Sequence, residues 1–436
     1  MPRAIPHMGV SRTLVDEASA ASLLLGTALG GGFLALPHAT SPAGCLPSAG
    51  LLAVCWATLL LESNLVADLV IDYHEATNAS RTVSFDTLGR EAFGPIGGNL
   101  ISATFLCLMV TTLVAQIAKG SSLITCAWVP AGVRCTILAG LISTFARSAS
   151  PQLLGATNGF LTIGFVAAAA ALFRGSLDVV SWGRLARADW SVCLQAAPTI
   201  LQLHVYCEVV PTICQLLKYS RRRVRRAMGI GSVALLTMQV VWSTLGIAVS
   251  PYSSGALRTD PVDVLLSTGG ALGAATTTTA VCAIATTILG TARAIDTWSK
   301  DALRDRATPR RPLWAFAALI GLPTLIAART STAAAYFGAI DMAGAYPVAL
   351  LWGLAPPLMT LRARGRRGKR SQARGGATSA MDQPRDRDRG RARGGSSTAV
   401  LFGLVALSLS FVGANLVTDL SALLGRAAAT GGARWQ

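Results

Sequence analysis

Two short stretches of this chain combine residue types that seldom share an apolar segment. In LQLHVYCEVVP, residues 201 to 211, His204 and Glu208 interrupt an apolar run, and Pro211 removes a backbone donor. In GTALGGGFLALPHAT, residues 26 to 40, Gly30, Gly31 and Gly32 stand together and Pro37 follows. Inside a helix, glycine costs about 1 kcal/mol relative to alanine and proline about 3 kcal/mol. A helix opened at such points frees N–H groups that can hold a carboxylate and carbonyls that can hold an ammonium or a metal cation. An imidazole or a carboxyl beside the opening can exchange a proton. A zwitterionic amino acid matches both ends of that chemistry.

The elements that carry these stretches are membrane spans. Of the 436 residues, 52% are hydrophobic and 14% charged, too little charge to cover the surface of a soluble protein of this length. Runs that match the roughly 20 apolar residues needed to cross a bilayer core recur along nearly the whole chain. Hydropathy places helices near residues 18–44, 46–71, 97–120, 132–147, 152–173, 190–217, 229–249, 270–298, 313–328, 331–360 and 399–424. The fold class expected is an all-α polytopic membrane protein with about 11 transmembrane helices.

The net charge of +17 would suggest nucleic acid in a soluble chain, but the basic residues cluster between the spans. With the N-terminus in the cytoplasm, about 29 of the 38 Lys and Arg residues fall inside and about 9 outside. Most of that bias lies in KYSRRRVRR at 218 to 226, in Lys300 to Arg311, and in the tract from Arg362 to Arg393. The last tract is low in complexity, lacks apolar periodicity and reads as a disordered cytoplasmic tether over 362–398, with weak attraction to anionic lipid. The expected organisation is then a tail over 1–17, a transporter core over 18–361, the linker, a final helix over 399–424 and a tail over 425–436. The polar leader lacks the layout of a cleavable signal. Nine cysteines are scattered with no metal-ligand spacing, so no metal site and no cofactor are expected.

The first and sixth spans lead two sets of five, about 18–173 and 190–361. Interrupted segments at corresponding positions of two halves point to an inverted-repeat transporter site. Two plainer readings stand beside this one. Gly26 and Gly30 form a GxxxG pair, which serves close helix packing, and His204 with Glu208 would make a buried pair with no transport role.

The stretch GTALGGGFLALPHAT resembles the GTAIGAGMLALPLAT-like opening of the tryptophan/tyrosine permease family, aromatic amino acid transporters of the amino acid-polyamine-organocation superfamily. Further similar stretches run in order: CWATLLLESNL at 55 to 65, with Glu62 and Asn64 in an E-x-N-L pattern; LVAQIAKGSSLI at 113 to 124; RRAMGIGS at 225 to 232; ATTILGTARAIDTW at 285 to 298; and AIDMAGAYPVALLWGLAPPLM at 339 to 359. The resemblance covers about residues 19 to 361 and a final span. It implies a leucine-transporter-type fold of 5+5 inverted repeats that imports aromatic amino acids with an ion gradient, usually protons.

Carried over by position, Gly30, Gly31 and Gly32, with Thr27 beside them, would contact the substrate carboxylate. His204, Val205, Tyr206 and Cys207 would form the second half of the substrate site. There the family commonly has a GFHN-like run, whereas this chain has VYCE, with the histidine displaced to 204 and an acid in place of the amide. Glu208 is the candidate for proton coupling, since an acid in an apolar cavity can hold a proton and release it when a substrate ammonium arrives. Thr286 and Thr287 are candidate oxygen ligands for a coupling sodium, although threonines in membrane helices usually bond their own backbone. Asp341 would serve gating or pair with Arg329.

The function expected is secondary active transport of an aromatic amino acid such as tryptophan or tyrosine with protons. The alternatives are a sodium-coupled carrier of another neutral amino acid or amine, and a nontransporting amino acid sensor. No nucleophile, base and orienter cluster suggests an enzyme. The partners expected are the small-molecule substrate, a proton or sodium ion and the lipid bilayer, with no nucleic acid. The expected location is the plasma or bacterial inner membrane, with a plastid membrane as the alternative.

Overall fold

The computed structural model describes residues 7–77, 83, 85–124, 128–250, 252–253, 256–257, 260–302, 311–330, 332–375 and 398–432. Its first span is broken: α1 (His7–Ala28) is followed by a 3-10 turn at Gly31–Ala35 and a short helix α2 (Leu36–Thr40). The two parts meet at an angle of 53°. Then come α3 (Cys45–Thr77), α4 (Phe85–Ser122), α5 (Ala131–Ser148) and α6 (Pro151–Ser176). The sixth span repeats the interruption. Helix α7 (Ala197–Leu203) stops at His204, a 3-10 turn covers Cys207–Val209, and α8 (Val210–Leu216) resumes.

The second set continues through α9 (Arg221–Val249), the small capping helix α10 (Pro261–Ser267), α11 (Gly270–Ala302) and α12 (Arg311–Arg329). The tenth span joins α13 (Thr332–Ala343), a π-helical stretch at Gly344–Leu354 containing Pro347, and α14 (Ala355–Gly375). Helix α15 (Thr398–Gly432) follows as the eleventh span. A two-residue hairpin, β1 (Tyr252–Ser253) and β2 (Ala256–Leu257), is the sole sheet among the described residues.

Seven helices are long and apolar enough to cross a bilayer, and the bent first span makes an eighth. Helix α12 is a shorter apolar helix, and α5 and the α7–α8 pair occupy the positions of the other expected spans. The breaks follow from local chemistry. Glycines 30 to 32 weaken the first helix, while Pro37 and Pro211 each sit in the first turn of the short helix that resumes the span, where a missing N–H leaves no acceptor stranded.

Three boundaries differ from the hydropathy reading. Helix α1 begins at His7 inside the stretch expected as a tail, and α15 runs to Gly432. Helix α14 continues past Arg362 to Gly375, so the start of the expected linker is helical. Arginine is a good helix former, and a helix leaving the bilayer loses apolar character without losing its backbone ladder. The rest of that linker, 376–397, lies outside the described residues, as do residues 1–6 of the N-terminal stretch.

The core packs α1 against α9, α3 against α9, α11 against α6 and α4 against α13. Phe33 anchors its centre, stacked on Trp242 at 5.3 Å between ring centroids and edge-on to Phe165 at 5.6 Å. Both breaks are thereby held beside one another in the middle of the bundle.

Candidate functional site

The first break is fixed by hydrogen bonds to its backbone. The N–H of Gly31 donates to Thr287 Oγ1 on α11 at 2.7 Å, and that hydroxyl donates onward to the Ala283 carbonyl at 2.8 Å. The Gly31 carbonyl accepts from the Tyr336 hydroxyl of α13 at 2.8 Å, and the Phe33 carbonyl accepts from Trp242 Nε1 at 2.7 Å. Three different helices thus satisfy groups that an intact helix would bond within itself. The absence of side chains on the glycines is required here. A Cβ on Gly31 would collide with the Gln116 side-chain amide, and one on Gly30 would collide with the Thr287 hydroxyl.

Beside this break lies a cavity of about 90 Å³, lined on the first span by Thr27, Gly30 and Gly32, on α4 by Met109, Thr112 and Gln116, and at the second break by Val205 and Glu208. A second cavity of about 320 Å³ shares Thr27, Gly30, Met109, Glu208, Thr287 and Thr291 with it. From there it extends past Asn158 of α6 and Thr286 to Arg293 near the end of α11. Together they form one path from between the breaks to one end of the bundle.

Glu208 faces this path. Its side chain is exposed although it sits in the middle of a spanning segment, because its surface opens onto the cavity. Among the described residues it makes no ion pair. The expected His204–Glu208 pair is not formed: His204 is fully buried, its Nδ1 lies 2.9 Å from the Ile200 carbonyl, and its Nε2 has no partner.

The sequence placed four residues of the second break at the substrate, and three of them point elsewhere. His204, Tyr206 and Cys207 are buried and line neither cavity. Cys207 Sγ instead lies 2.9 Å from Ser63 Oγ of α3. The physical reason is the turn itself. Once the helix stops at His204, successive side chains diverge, and only Val205 and Glu208 turn inward. Gly31 lines neither cavity, since its backbone groups are already bonded to Thr287 and Tyr336. The hydroxyls of Thr286 and Thr287 both donate to the Ala283 carbonyl.

Among the cavity residues not read from the sequence are Gln116, Gln202 and Thr112. Gln202 Nε2 donates to Thr112 Oγ1 at 3.3 Å, and the side-chain oxygens of Gln116 and Gln202 have no partner. The signal was present as amides at membrane depth, with Gln116 inside LVAQIAKGSSLI. It is weak because a lone glutamine gives no spacing to read.

The opposite end is shut. Lys119, at the end of α4, donates to Asp260 at 3.1 Å and to Asp263 at 3.2 Å, on the cap formed by α10. The Lys119 ammonium also lies 5.6 Å from the centre of the Tyr336 ring, whose hydroxyl reaches the first break. His38 stacks on Phe337 at 3.9 Å beside it. At the open end, Arg147, Arg293 and Lys300 surround the fully buried Asp296, with Lys300 at 2.6 Å. Asp341 accepts from Thr199, and among the described residues it forms no ion pair with Arg329, one of the two roles expected of it.

Two solved structures share this architecture. A manganese transporter from Eremococcus coleocola superposes with a TM-score of 0.55 at 13% identity, covering 96% of each chain. The nucleobase-cation-symport-1 family transporter Mhp1 superposes with a TM-score of 0.53 at 14% identity, covering 79% of this chain and 77% of that one. At such identity they establish the fold, two inverted five-helix repeats of the leucine-transporter type. No curated protein matches. The tryptophan/tyrosine permease family matches residues 16–379, a range that holds both breaks, the cavity between them and the cap that closes its far end. The chain belongs to the tryptophan/tyrosine permease family.

Proposed function

We propose that this membrane transporter carries an aromatic amino acid such as tryptophan or tyrosine together with protons. The single observation that carries the reading is the unpaired Glu208 carboxyl facing a cavity that lies between two helix breaks. The unwound first span offers the N–H of Gly32 and the amide of Gln116 to a substrate carboxylate. Glu208 and the carbonyls of the breaks suit the ammonium, and a proton bound at Glu208 would be released as the ammonium arrives. Leu108, Met109, Leu203 and Ile340 give the side chain an apolar wall.

The positive-inside bias puts the N-terminus, the Arg293 mouth and the loop after α11 in the cytoplasm. The arrangement is then inward-facing, with the Lys119 cap closing the outer side. Transport would proceed as one bundle rocks against the other around this site.

Purified protein in liposomes, given labelled tryptophan, tyrosine and leucine under an imposed pH gradient and then under a sodium gradient, tests the reading. Proton-driven accumulation of tryptophan or tyrosine in preference to leucine is expected. Uptake that follows only the sodium gradient would overturn the proton assignment. Binding without uptake under either gradient would favour a sensor. Glu208→Gln is expected to lower proton-driven accumulation about tenfold, the effect of removing one coupled proton under a gradient of about one pH unit. Unchanged accumulation would remove Glu208 from the coupling role.

A further inference from the structure

Behind the second break lies another acid that the proposed cycle does not use. Glu62 of α3 is 0% exposed, and neither of its carboxyl oxygens has a hydrogen-bond partner. Its neighbour Ser63 is bonded to Cys207, which ties α3 to the second break. One acid, Glu208, thus lies in the break and lines the cavity, and the other, Glu62, directly precedes the α3 residue that contacts the break.

A carboxylate without water and without a partner is among the most costly groups to bury. Among the described residues, the titratable side chains on the elements packed against α3 supply no partner. His204, Tyr206, Cys207, Glu208 and Cys214 make no hydrogen bond to it. Arg221 and Arg225 of α9 reach Asp68 and Asp72 farther along α3 instead, and Arg362 and Arg366 of α14 reach the α4 backbone at Ala92 and Glu91. The second break, which Ser63 contacts through Cys207, holds donors of the kind an ionised carboxyl requires: among the described residues, the backbone N–H groups of Val205 and Tyr206 make no hydrogen bond.

We propose that Glu62 is a second proton-carrying residue of the transport cycle, neutral in the inward-facing arrangement and ionised when the second break turns its free N–H groups toward α3. On release the Glu62 O–H bond breaks, the electron pair stays on the carboxylate, and the proton passes to water entering the opened break. The N–H groups of Val205 and Tyr206 then hold the carboxylate. Reprotonation reverses these steps and frees the break to return. This rests on the proton-coupled reading above and adds that two protons move with each substrate.

The test is the limiting substrate gradient in proteoliposomes clamped at zero membrane potential, read with whichever of tryptophan or tyrosine the wild type accumulates. A tenfold proton gradient sustains an accumulation of about 100-fold for two coupled protons and about tenfold for one. The wild type is expected near 100-fold and Glu62→Gln near tenfold. A wild-type value near tenfold, or a Glu62→Gln value still near 100-fold, would overturn the assignment of Glu62 while leaving proton coupling intact. Absence of any proton-driven accumulation in the wild type would overturn both. Where Glu62→Gln fails to insert, Glu208→Gln decides. Accumulation near tenfold reveals a proton that Glu208 does not carry, and complete loss of coupling overturns the inference.

Discussion

The two breaks interrupt corresponding spans, yet the first is bonded by more side chains from other helices than the second. At the first, three glycines expose bare backbone, and side chains from α9, α11 and α13 come to it: Trp242, Thr287 and Tyr336 each bond one of its N–H or carbonyl groups. At the second, one side chain from another helix, Gln239 of α9, donates to the Leu203 carbonyl at 3.1 Å, the backbone N–H groups of Val205 and Tyr206 stay unbonded among the described residues, and the break's own side chains pack into the bundle. His204, Tyr206 and Cys207 are the anchors, and they leave Val205 and Glu208 to face the cavity. On the proposed reading the glycine break is the cradle for the substrate carboxylate, and the second break positions one functional group, Glu208, while its backbone keeps unbonded donors.

This contrast sets the order of expected effects. Gly31→Leu should be the most damaging, since a Cβ there already displaces the Gln116 amide and the rest of the leucine side chain must be fitted beside it. Substrate affinity, read by equilibrium binding in detergent, is expected to fall by roughly 100-fold or more while membrane insertion persists. Retained affinity would mean that the glycines serve packing alone.

Thr287→Val should come next, because it leaves the Gly31 N–H without its acceptor. A loss of about 1.4 kcal/mol in binding, roughly tenfold in affinity, is expected, and Thr287→Ser should restore most of it. Tyr336→Phe removes one neutral hydrogen bond to the Gly31 carbonyl and should cost about 1 kcal/mol, near fivefold in affinity by the same assay. If the cradle were not held through its backbone, all three variants would leave affinity unchanged.

Cys207→Ala should have the smallest effect, because its thiol–hydroxyl contact with Ser63 lies on the side of the break away from the cavity. A change in affinity within about threefold is expected, less than about 1 kcal/mol. A loss as large as that of Gly31→Leu would place Cys207 on the substrate instead.

Much of the architecture was legible in the chain. Apolar runs near 20 residues long can only span or be buried in a core of matching thickness, so the spans and their order were readable from hydropathy. Gly30 to Gly32, His204 and Glu208 marked both interruptions, because glycine, proline and ionisable groups are penalised in a lipid-facing helix whatever surrounds it. The ends of α1, α14 and α15 were not readable, since a helix leaving the bilayer can continue in water with no change of backbone.

Which side chains of the second break face the cavity was a tertiary matter. His204, Tyr206, Cys207 and Glu208 are all consistent with a site by residue type, and only the turn after Leu203 separates the three that pack into the bundle from the one that opens inward. The bonds of Thr287 and Tyr336 to Gly31 span 256 and 305 positions of the chain, and no local pattern encodes them. Glu62 is the same case: its place in an E-x-N-L motif was readable, but its lack of a partner is a property of everything packed around it. A sequence determines what each residue would cost in lipid, because that cost is local. Which partners meet that cost depends on distant segments brought into contact, and only the folded bundle decides it.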